Sequence, residues 1–198
     1  HYPLRRQRQM CIRDSPKGIC FVWAPLFWDD HVSHAIFFDG QRGEPLVREG
    51  LEAPLYETEA DIPGVEDGLV DRKLTARHRI AYHPGTRLAA SAEIDLIDLD
   101  DGLRTLKLKP ILKFMMKGLG YGHPEWKQGM WKGELATGHE SFDPRQLDNL
   151  APEHLHTQQV VIATDGEKTG IGVLEQIVVG PYEPAGFKSF FDGYVEKS

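Results

Sequence analysis

The stretch KLTARHRIAYHPGTRLAASAEIDLIDLDDGLRTLKLK (residues 73–109) decides the fold, because apolar and polar residues alternate along it. One face of the first run holds Leu74, Ala76, His78, Ile80 and Tyr82, and one face of the second holds Leu88, Ala90, Ala92, Ile94 and Leu96. A period of two is that of a β-strand with one face in water. Pro84-Gly85 and Asp100-Asp101-Gly102 are turn signals, since Asp and Gly tolerate positive φ. The stretch therefore predicts three consecutive antiparallel strands, at 73–83, 86–98 and 103–109.

The rest of the chain continues this pattern on both sides. Further strands are predicted at 19–27, 31–39, 131–140, 155–164 and 169–179, with hairpin turns at 28–30 and 165–168. Gly, Pro, Glu and Asp run through 40–68, which predicts a long loop with a short strand at 46–48. A short helix is expected near 111–118. Seven or eight antiparallel strands in one domain predict an all-β, lipocalin-like closed β-barrel or a strongly curved sandwich.

The first fifteen residues, His1–Ser15, resemble the in-frame translation of a transposon sequencing adapter. We therefore expect this segment to be disordered, and residues 16–198 to form a single barrel domain. The formal net charge of the whole chain is −7, and the segment contributes four arginines against one aspartate, so the remainder is more acidic still. An acidic domain is a poor candidate for binding nucleic acid or an anionic membrane surface. No apolar stretch is long enough to span a bilayer, and we expect a cytoplasmic protein.

Motifs for several classes of chemistry are missing from the sequence. It contains no G-x-G-x-x-G after a strand, no Walker loop, no H-E-x-x-H and no G-x-S-x-G. We therefore expect no cofactor and no serine-hydrolase chemistry. Outside the adapter-like segment Cys20 is the one cysteine, and its apolar neighbours favour a buried structural thiol.

The densest group of chemically active side chains is GYGHPEWKQGMWKGEL, residues 120–135. Its aromatic members, Tyr121, Trp126 and Trp131, suit a lid over an apolar ligand, because rings give contact area at low entropic cost. His123, Glu125 and Glu134 are the candidates for proton transfer. The alternative is structural: the rings plug one end of the barrel and His123 caps a backbone carbonyl.

Two further groups are candidates for ligand contact. Trp23 and Trp28 flank an apolar strand end that is followed by Asp29, Asp30, His31 and His34. His31 and His34 fall on opposite faces of a strand, so we expect no metal site there. In the strand at 155–164, His156 and Gln158 share one face. Some of the polar residues His156, Gln158, Gln159, Glu175 and Gln176 are expected to line the interior; the alternative is a satisfied hydrogen-bond network between strands.

Three stretches together resemble a bacterial family of two-domain lipocalin-like proteins that is distantly similar to the carotenoid hydratases. They are WAPLFWDDH (residues 23–31), GYGHPEW with WKGEL (residues 120–126 and 131–135), and APEHLHTQQ (residues 151–159). The resemblance implies that this chain is the second of two barrels and that an N-terminal barrel domain is its missing partner. In the hydratases, acidic and histidine groups inside a barrel protonate an alkene.

These features lead to one expected function and two alternatives. The first expectation is a barrel that binds a hydrophobic small molecule of the terpenoid, steroid or acyl type. The second is a cofactor-independent hydratase or isomerase acting on such a molecule, with His123 or Glu125 as proton donor. The third is a structural barrel that supports the missing N-terminal domain.

Deletion of His1–Ser15 tests the origin of that segment. We expect the melting temperature to stay unchanged, because a segment derived from an oligonucleotide carries no core pattern and contributes no packing. Thermal unfolding followed by circular dichroism of the full chain and of residues 16–198 measures this. A drop of several degrees on deletion would contradict the adapter interpretation.

Overall fold

The barrel expected from the alternation is present in the computed structural model, which describes residues 19–64, 72–98, 102–115, 125, 131–139, 156–166, 168–189 and 192. Its strands are β1 Ile19–Phe27, β2 His31–Gly40, β3 Pro45–Pro54, β4 Arg72–Tyr82, β5 Ala89–Asp98, β6 Gly102–Met115, β7 His156–Asp165 and β8 Lys168–Val179. Single 3₁₀ turns occur at Glu59–Asp61 and Glu183–Ala185. Each strand pairs antiparallel with the next, and β8 pairs with β1, which closes the barrel. The all-β antiparallel prediction is confirmed. No helix in the described part of the chain is long and apolar enough to cross a membrane.

The core follows directly from the period of two. On β1 the side chains at Cys20, Val22, Ala24 and Leu26 are buried, and the residues between them face outward. The same alternation on the other strands fills the middle of the barrel with small and medium apolar side chains, among them Phe37, Ala76, Ile94, Leu106, Leu108, Val161, Leu174 and Val178. Burial of these side chains stabilises the fold, since each Val, Leu, Ile or Phe among them contributes about 1.5–3 kcal/mol when fully buried.

The inward and outward alternation of β5 is interrupted at its first residues, which the sequence pattern did not predict. Ala89 and Ala92 are both buried whereas Ala90 is exposed, so the predicted inward position of Ala90 is wrong. The register between β4 and β5 shifts here: Tyr82 pairs with Ala89, and Ala81 pairs with Ser91. A β-bulge places two residues of one strand opposite one of the other and reverses the inward and outward sides beyond it.

Three predicted element boundaries also need correction. The long loop at 40–68 contains the full strand β3. The short helix near 111–118 is wrong over 111–115, because β6 runs on to Met115; a register shift between Pro110 and Leu112 accommodates the proline that was expected to end the strand. Residues 131–139 form no strand, and Trp131 and Leu135 are exposed there. Alternation without a neighbouring strand to pair with does not make a strand.

The barrel wall is weakest between β3 and β4, and this shapes the candidate site. Glu49–Glu52 pair with residues 72–75, and the register ends there. Beyond this point Pro45–Arg48 and Ala76–Tyr82 are not paired with each other. We call this opening the β3–β4 seam.

The C-terminal segment packs beside the seam. Its 3₁₀ turn at Glu183–Ala185 contacts β4, and the Glu183 amide donates to the carbonyl of Gln41 (2.9 Å). Pro184 lies so close to Gly43 that a Cβ on this glycine, whose φ is +80°, would fall 2.6 Å from the proline ring. Glycine at position 43 thus lets the C-terminal turn approach the β2–β3 hairpin.

Candidate functional site

A fully buried carboxylate, Asp39, lies inside the barrel at the end where the seam opens. It is 1% exposed and is held by three donors from three separate elements. Arg48 Nη2 lies 2.6 Å from Oδ1, while His78 Nε2 and the Tyr182 hydroxyl lie 2.8 and 2.9 Å from Oδ2. We call Asp39, Arg48, His78 and Tyr182, with the adjoining Tyr82 and Cys20, the Asp39 cluster. An unpaired buried carboxylate would be very costly, so these donors are what permit it.

Several polar atoms around Asp39 remain without partners in the described part of the protein. Arg48 Nε, His78 Nδ1 and the Tyr82 hydroxyl are buried and find no nitrogen or oxygen partner there. Because a carboxylate only accepts hydrogen bonds, His78 Nε2 is the donor in this pair, and in the singly protonated ring Nδ1 is an acceptor. Buried polar atoms are paired in the great majority of cases, and each unsatisfied one costs about 1–3 kcal/mol. A cluster of such atoms offers hydrogen-bonding capacity to a water molecule or to the polar group of a ligand.

The thiol of Cys20 and the phenol groups of Tyr82 and Tyr182 near Asp39 stay protonated at neutral pH. Burial raises the pKa of the Cys20 thiol to about 12, and the nearby Asp39 adds to this effect. Burial likewise raises the pKa of Tyr82 and of Tyr182 well above the usual value for a phenol. The thiol is therefore a poor nucleophile, in agreement with the structural role predicted for Cys20. Both tyrosines keep their hydroxyl proton, and Tyr182 donates its proton to Asp39.

A pocket of about 190 Å³ adjoins the cluster at the seam. Its lining combines members of the Asp39 cluster with apolar side chains: His78, Tyr82, Tyr182, Ile80, Pro184, Ala185 and the stem of Arg79. For comparison, an engineered apolar cavity of about 150 Å³ is large enough to bind benzene. The pocket thus has room for about one ring or a short chain, with polar groups on one side.

Two inward glutamines extend the polar zone to the opposite wall of the barrel. Gln159 exchanges hydrogen bonds with the backbone of Ala89 (3.1 and 2.9 Å), and Gln176 Nε2 donates to Gln159 Oε1 (2.9 Å). Both side chains are buried. Of the polar residues expected to line the interior, Gln159 and Gln176 do so, and this hydrogen-bond network links β5, β7 and β8. Ala89 is also the partner of Tyr82 in the β4–β5 register, so the network borders the Asp39 cluster.

Arg87 fixes the C-terminal segment against this end of the barrel. Its guanidinium donates to the carbonyls of Val178, Gly180, Ser189 and Asp192 at 2.6–2.9 Å, and it lies 4.4 Å from the centre of the Phe187 ring. Phe187 in turn packs edge-on against Tyr82, with ring centres 5.2 Å apart. The position of Tyr182, and with it one donor to Asp39, depends on this anchor.

The residues predicted from the sequence to bind a ligand lie elsewhere. Trp28 is buried at the opposite end of the barrel, where its Nε1 donates to Ser33 Oγ (3.0 Å). Trp23 faces outward on β1 and donates to His34 Nε2. Gln158 also faces outward and donates to Glu175 Oε2 (2.7 Å), which is the cross-strand neighbour of Trp23.

The structure describes only some residues of the predicted lid and of its predicted proton-transfer group. Trp131 is 79% exposed, and Glu125 and Glu134 are also exposed. His123, Tyr121 and Trp126 lie outside the described residues, as does the side chain of His156, whose backbone belongs to β7. The described part of the chain therefore brings none of these side chains to the Asp39 cluster.

The outer surface of β1, β2 and β8 is rich in apolar side chains. Phe21 and Phe38 pack with ring centres 4.8 Å apart, and Phe27 and Ile171 are 51% and 54% exposed. Exposed apolar side chains of this kind suit contact with another protein surface, and the N-terminal barrel domain as a partner remains a prediction.

Comparison with known proteins places the chain in a family. The model of a family of unknown function, DUF8625, matches residues 4–188. The chain belongs to this family. No curated protein and no solved structure matches it. Any functional assignment must therefore come from the geometry of the barrel itself.

Sequence reasoning missed the residues of the Asp39 cluster, although a partial signal existed. His78 was correctly placed on the inward face of its strand, among four apolar neighbours, and Asp39 ends an apolar strand. A charged or basic side chain that faces the interior of a barrel needs a polar partner. This requirement could have predicted that Asp39 and His78 pair with each other. The contribution of Tyr182 could not be foreseen, since it depends on the path of the C-terminal segment.

Replacing Asp39 by asparagine should destabilise the protein strongly. The amide keeps the shape but removes the charge, which leaves Arg48 without its partner inside the barrel; loss of one partner of a buried pair costs about 3–5 kcal/mol. Denaturant unfolding measures the loss. The matched control is Glu93→Gln, which removes an outer pair with Arg79 whose members are 43% and 53% exposed. Its cost should stay under about 1 kcal/mol. Equal losses in the two variants would show that Asp39 is not a buried, obligatory partner.

Proposed function

We propose that this protein binds a small hydrophobic molecule at the seam end of its barrel, with the polar part of that molecule against the Asp39 cluster. One observation carries the proposal: three buried polar atoms without a nitrogen or oxygen partner, Arg48 Nε, His78 Nδ1 and the Tyr82 hydroxyl, lie around one carboxylate next to a pocket, and only the Tyr82 hydroxyl has even a weak partner, the Cys20 thiol. Pockets for small molecules combine apolar walls with a few placed polar groups. The pocket fits the end of a terpenoid, steroid or acyl compound, because its volume admits about one ring or a short chain.

The opposite end of the barrel supports the choice of this end. There most of the buried polar side chains pair with one another: Trp28 donates to Ser33 Oγ, and Ser33 donates to Glu52 Oε1 (3.0 Å). Arg104 pairs with Glu52, and of the buried side-chain atoms described at this end its Nε alone makes no hydrogen bond. A wider pocket of about 510 Å³ also lies here, lined by Trp28, Asp29, Asp30, Lys168 and Thr169. Lys168 pairs with Asp30 in it (3.2 Å), so this end offers a ligand fewer unpaired buried groups than the seam does.

Ligand-induced stabilisation tests the proposal. A panel of single-ring and short-chain apolar compounds with one polar group should include members that raise the melting temperature, since a ligand at 100 times its Kd stabilises the native state by about 2.7 kcal/mol. In Ala185→Trp, the larger side chain occupies the pocket and should weaken binding at least tenfold. Thr75→Trp places the same side chain on the exposed outer face of β4 and should bind like the parent protein.

Two outcomes would contradict this function. Either no compound of the panel shifts the melting temperature, or Ala185→Trp and Thr75→Trp bind equally well. The second result would move binding away from the seam pocket, and the first would favour a barrel that only supports another domain.

Proton transfer is a second candidate function, and the pairing of His78 with Asp39 favours it. A carboxylate that holds one ring nitrogen orients the imidazole and stabilises its protonated form, which makes the other nitrogen a general base. In an isomerase of this kind, His78 Nδ1 removes a proton from one carbon of the ligand and returns it to another. In a hydratase, His78 Nδ1 takes a proton from the water that adds to one carbon of the double bond, and a proton is delivered to the other carbon. Tyr82 lines the same pocket. No cofactor is needed for such a step.

Hydrogen exchange into a bound compound tests proton transfer without knowledge of the reaction. Compounds found in the binding panel are incubated with the protein in D₂O and analysed by mass spectrometry for deuterium on carbon. Exchange should occur with the parent protein and fall at least a hundredfold in His78→Gln, in line with the usual contribution of a general base. His83→Gln, at an exposed position just after β4, is the control and should exchange normally. Absence of exchange in the parent protein would leave a binding protein.

A further inference from the structure

We infer that the molecule bound at the seam presents a neutral hydroxyl group to the Asp39 cluster. This inference rests on the proposed binding function and deepens it by naming the class of ligand: an alcohol or phenol on a small apolar body. It follows from the kinds of polar atoms left unpaired, from the charge of the cluster and from the size of the pocket.

The unpaired atoms require a group that both donates and accepts hydrogen bonds. In the singly protonated ring His78 Nδ1 is an acceptor, Arg48 Nε is a donor, and the Tyr82 hydroxyl, which has the weak Cys20 thiol beside it, can serve as either. A ligand hydroxyl donates one hydrogen bond and accepts up to two, so it can satisfy His78 together with a donor. A ketone, ether or ester oxygen only accepts and leaves His78 Nδ1 unpaired. Because an unsatisfied buried group costs far more than an average hydrogen bond gains, this difference should discriminate strongly.

The charge of the cluster favours a neutral ligand. Asp39 and Arg48 form a direct ion pair at 2.6 Å and balance each other, and the tyrosines and Cys20 keep their protons. A carboxylate ligand would compete with Asp39 for Arg48 and would add an uncompensated negative charge beside a buried aspartate. An ammonium ligand would meet Arg48 as a like charge. Both would be desolvated without a partner of opposite charge.

Access to the unpaired atoms requires a small movement. All three are shielded from solvent in this structure, whereas the pocket beside them is open. Tyr182 lines that pocket and shares Asp39 Oδ2 with His78. We infer that the ligand hydroxyl reaches His78 when the Tyr182 ring moves aside, and that the ring body of the ligand stays against Ile80, Pro184 and Ala185.

Three compounds with the same ring test the inference on the full chain. Cyclohexanol, cyclohexanone and methylcyclohexane differ in whether they donate, only accept, or do neither. We expect cyclohexanol to bind at least tenfold more tightly than the other two, measured by calorimetry or by ligand-observed NMR. The parent protein alone gives this ranking, so the test does not depend on a variant that folds.

Matched variants then assign the preference to residues. His78→Phe and Tyr82→Phe should each reduce the advantage of cyclohexanol to less than threefold while methylcyclohexane binds as before. The controls His83→Phe and Tyr56→Phe make the same changes at exposed positions and should keep the full advantage.

The outcomes separate this inference from the function on which it rests. If cyclohexanone or methylcyclohexane binds as tightly as cyclohexanol, the hydroxyl assignment is wrong and hydrophobic binding stands. An advantage for cyclohexanol that survives in both His78→Phe and Tyr82→Phe also overturns the assignment. If none of the three compounds binds, and no member of the wider panel does, the proposed binding function fails and the inference fails with it.

Discussion

The buried carboxylate of Asp39 is the constraint on which the rest of this barrel end depends. A charge inside a barrel must be paired, and here its partners come from β3, β4 and the C-terminal segment. Backbone hydrogen bonds do not connect β3 with β4 at this end of the barrel. The Asp39 carboxylate therefore supplies the connection there between β3, β4 and the C-terminal segment. It also fixes which nitrogen of His78 is protonated, and so leaves the other nitrogen as an acceptor. The hydrogen bonds of Asp39 thus hold this end of the barrel together and also set the hydrogen-bonding groups of the candidate site.

The segment that follows β8 packs beside the β3–β4 seam. A closed barrel satisfies the backbone groups of every strand, but four residue pairs between β3 and β4 leave part of the wall without such bonds. The turn at Glu183–Ala185 packs there and hydrogen-bonds to Gln41 in the β2–β3 turn. Arg87 holds the following residues through four carbonyl groups. Because a short turn covers the seam and not a full strand, a pocket lined by side chains remains beside the turn.

Much of the fold could be predicted from the sequence, because side-chain alternation and turn residues are local signals. The hairpins at 28–30, 84–85 and 165–168 were placed correctly, and β1 was predicted at its observed bounds. The errors arose where tertiary contacts decide. Pro110 lies within β6 because a bulge accommodates it, and residues 131–139 have the pattern of a strand without a partner strand. The glycine and proline content of 40–68 favoured a loop over β3, but Gly50 is a buried strand residue at which an added Cβ would lie only 3.1 Å from Leu74 and from Leu96.

The candidate site was predictable only as single residues, since its members are brought together by closure of the barrel. Asp39 and His78 lie 39 positions apart, and Tyr182 lies 143 positions from Asp39. Sequence reasoning favoured the aromatic segment at 120–135, where reactive side chains are dense along the chain. A high density of reactive side chains along the sequence does not mean that these side chains are buried or hydrogen-bonded to one another. The Asp39 cluster has both properties, and its unpaired atoms are the physical reason for proposing a binding site there: a group that makes the missing hydrogen bonds stabilises the protein to which it binds.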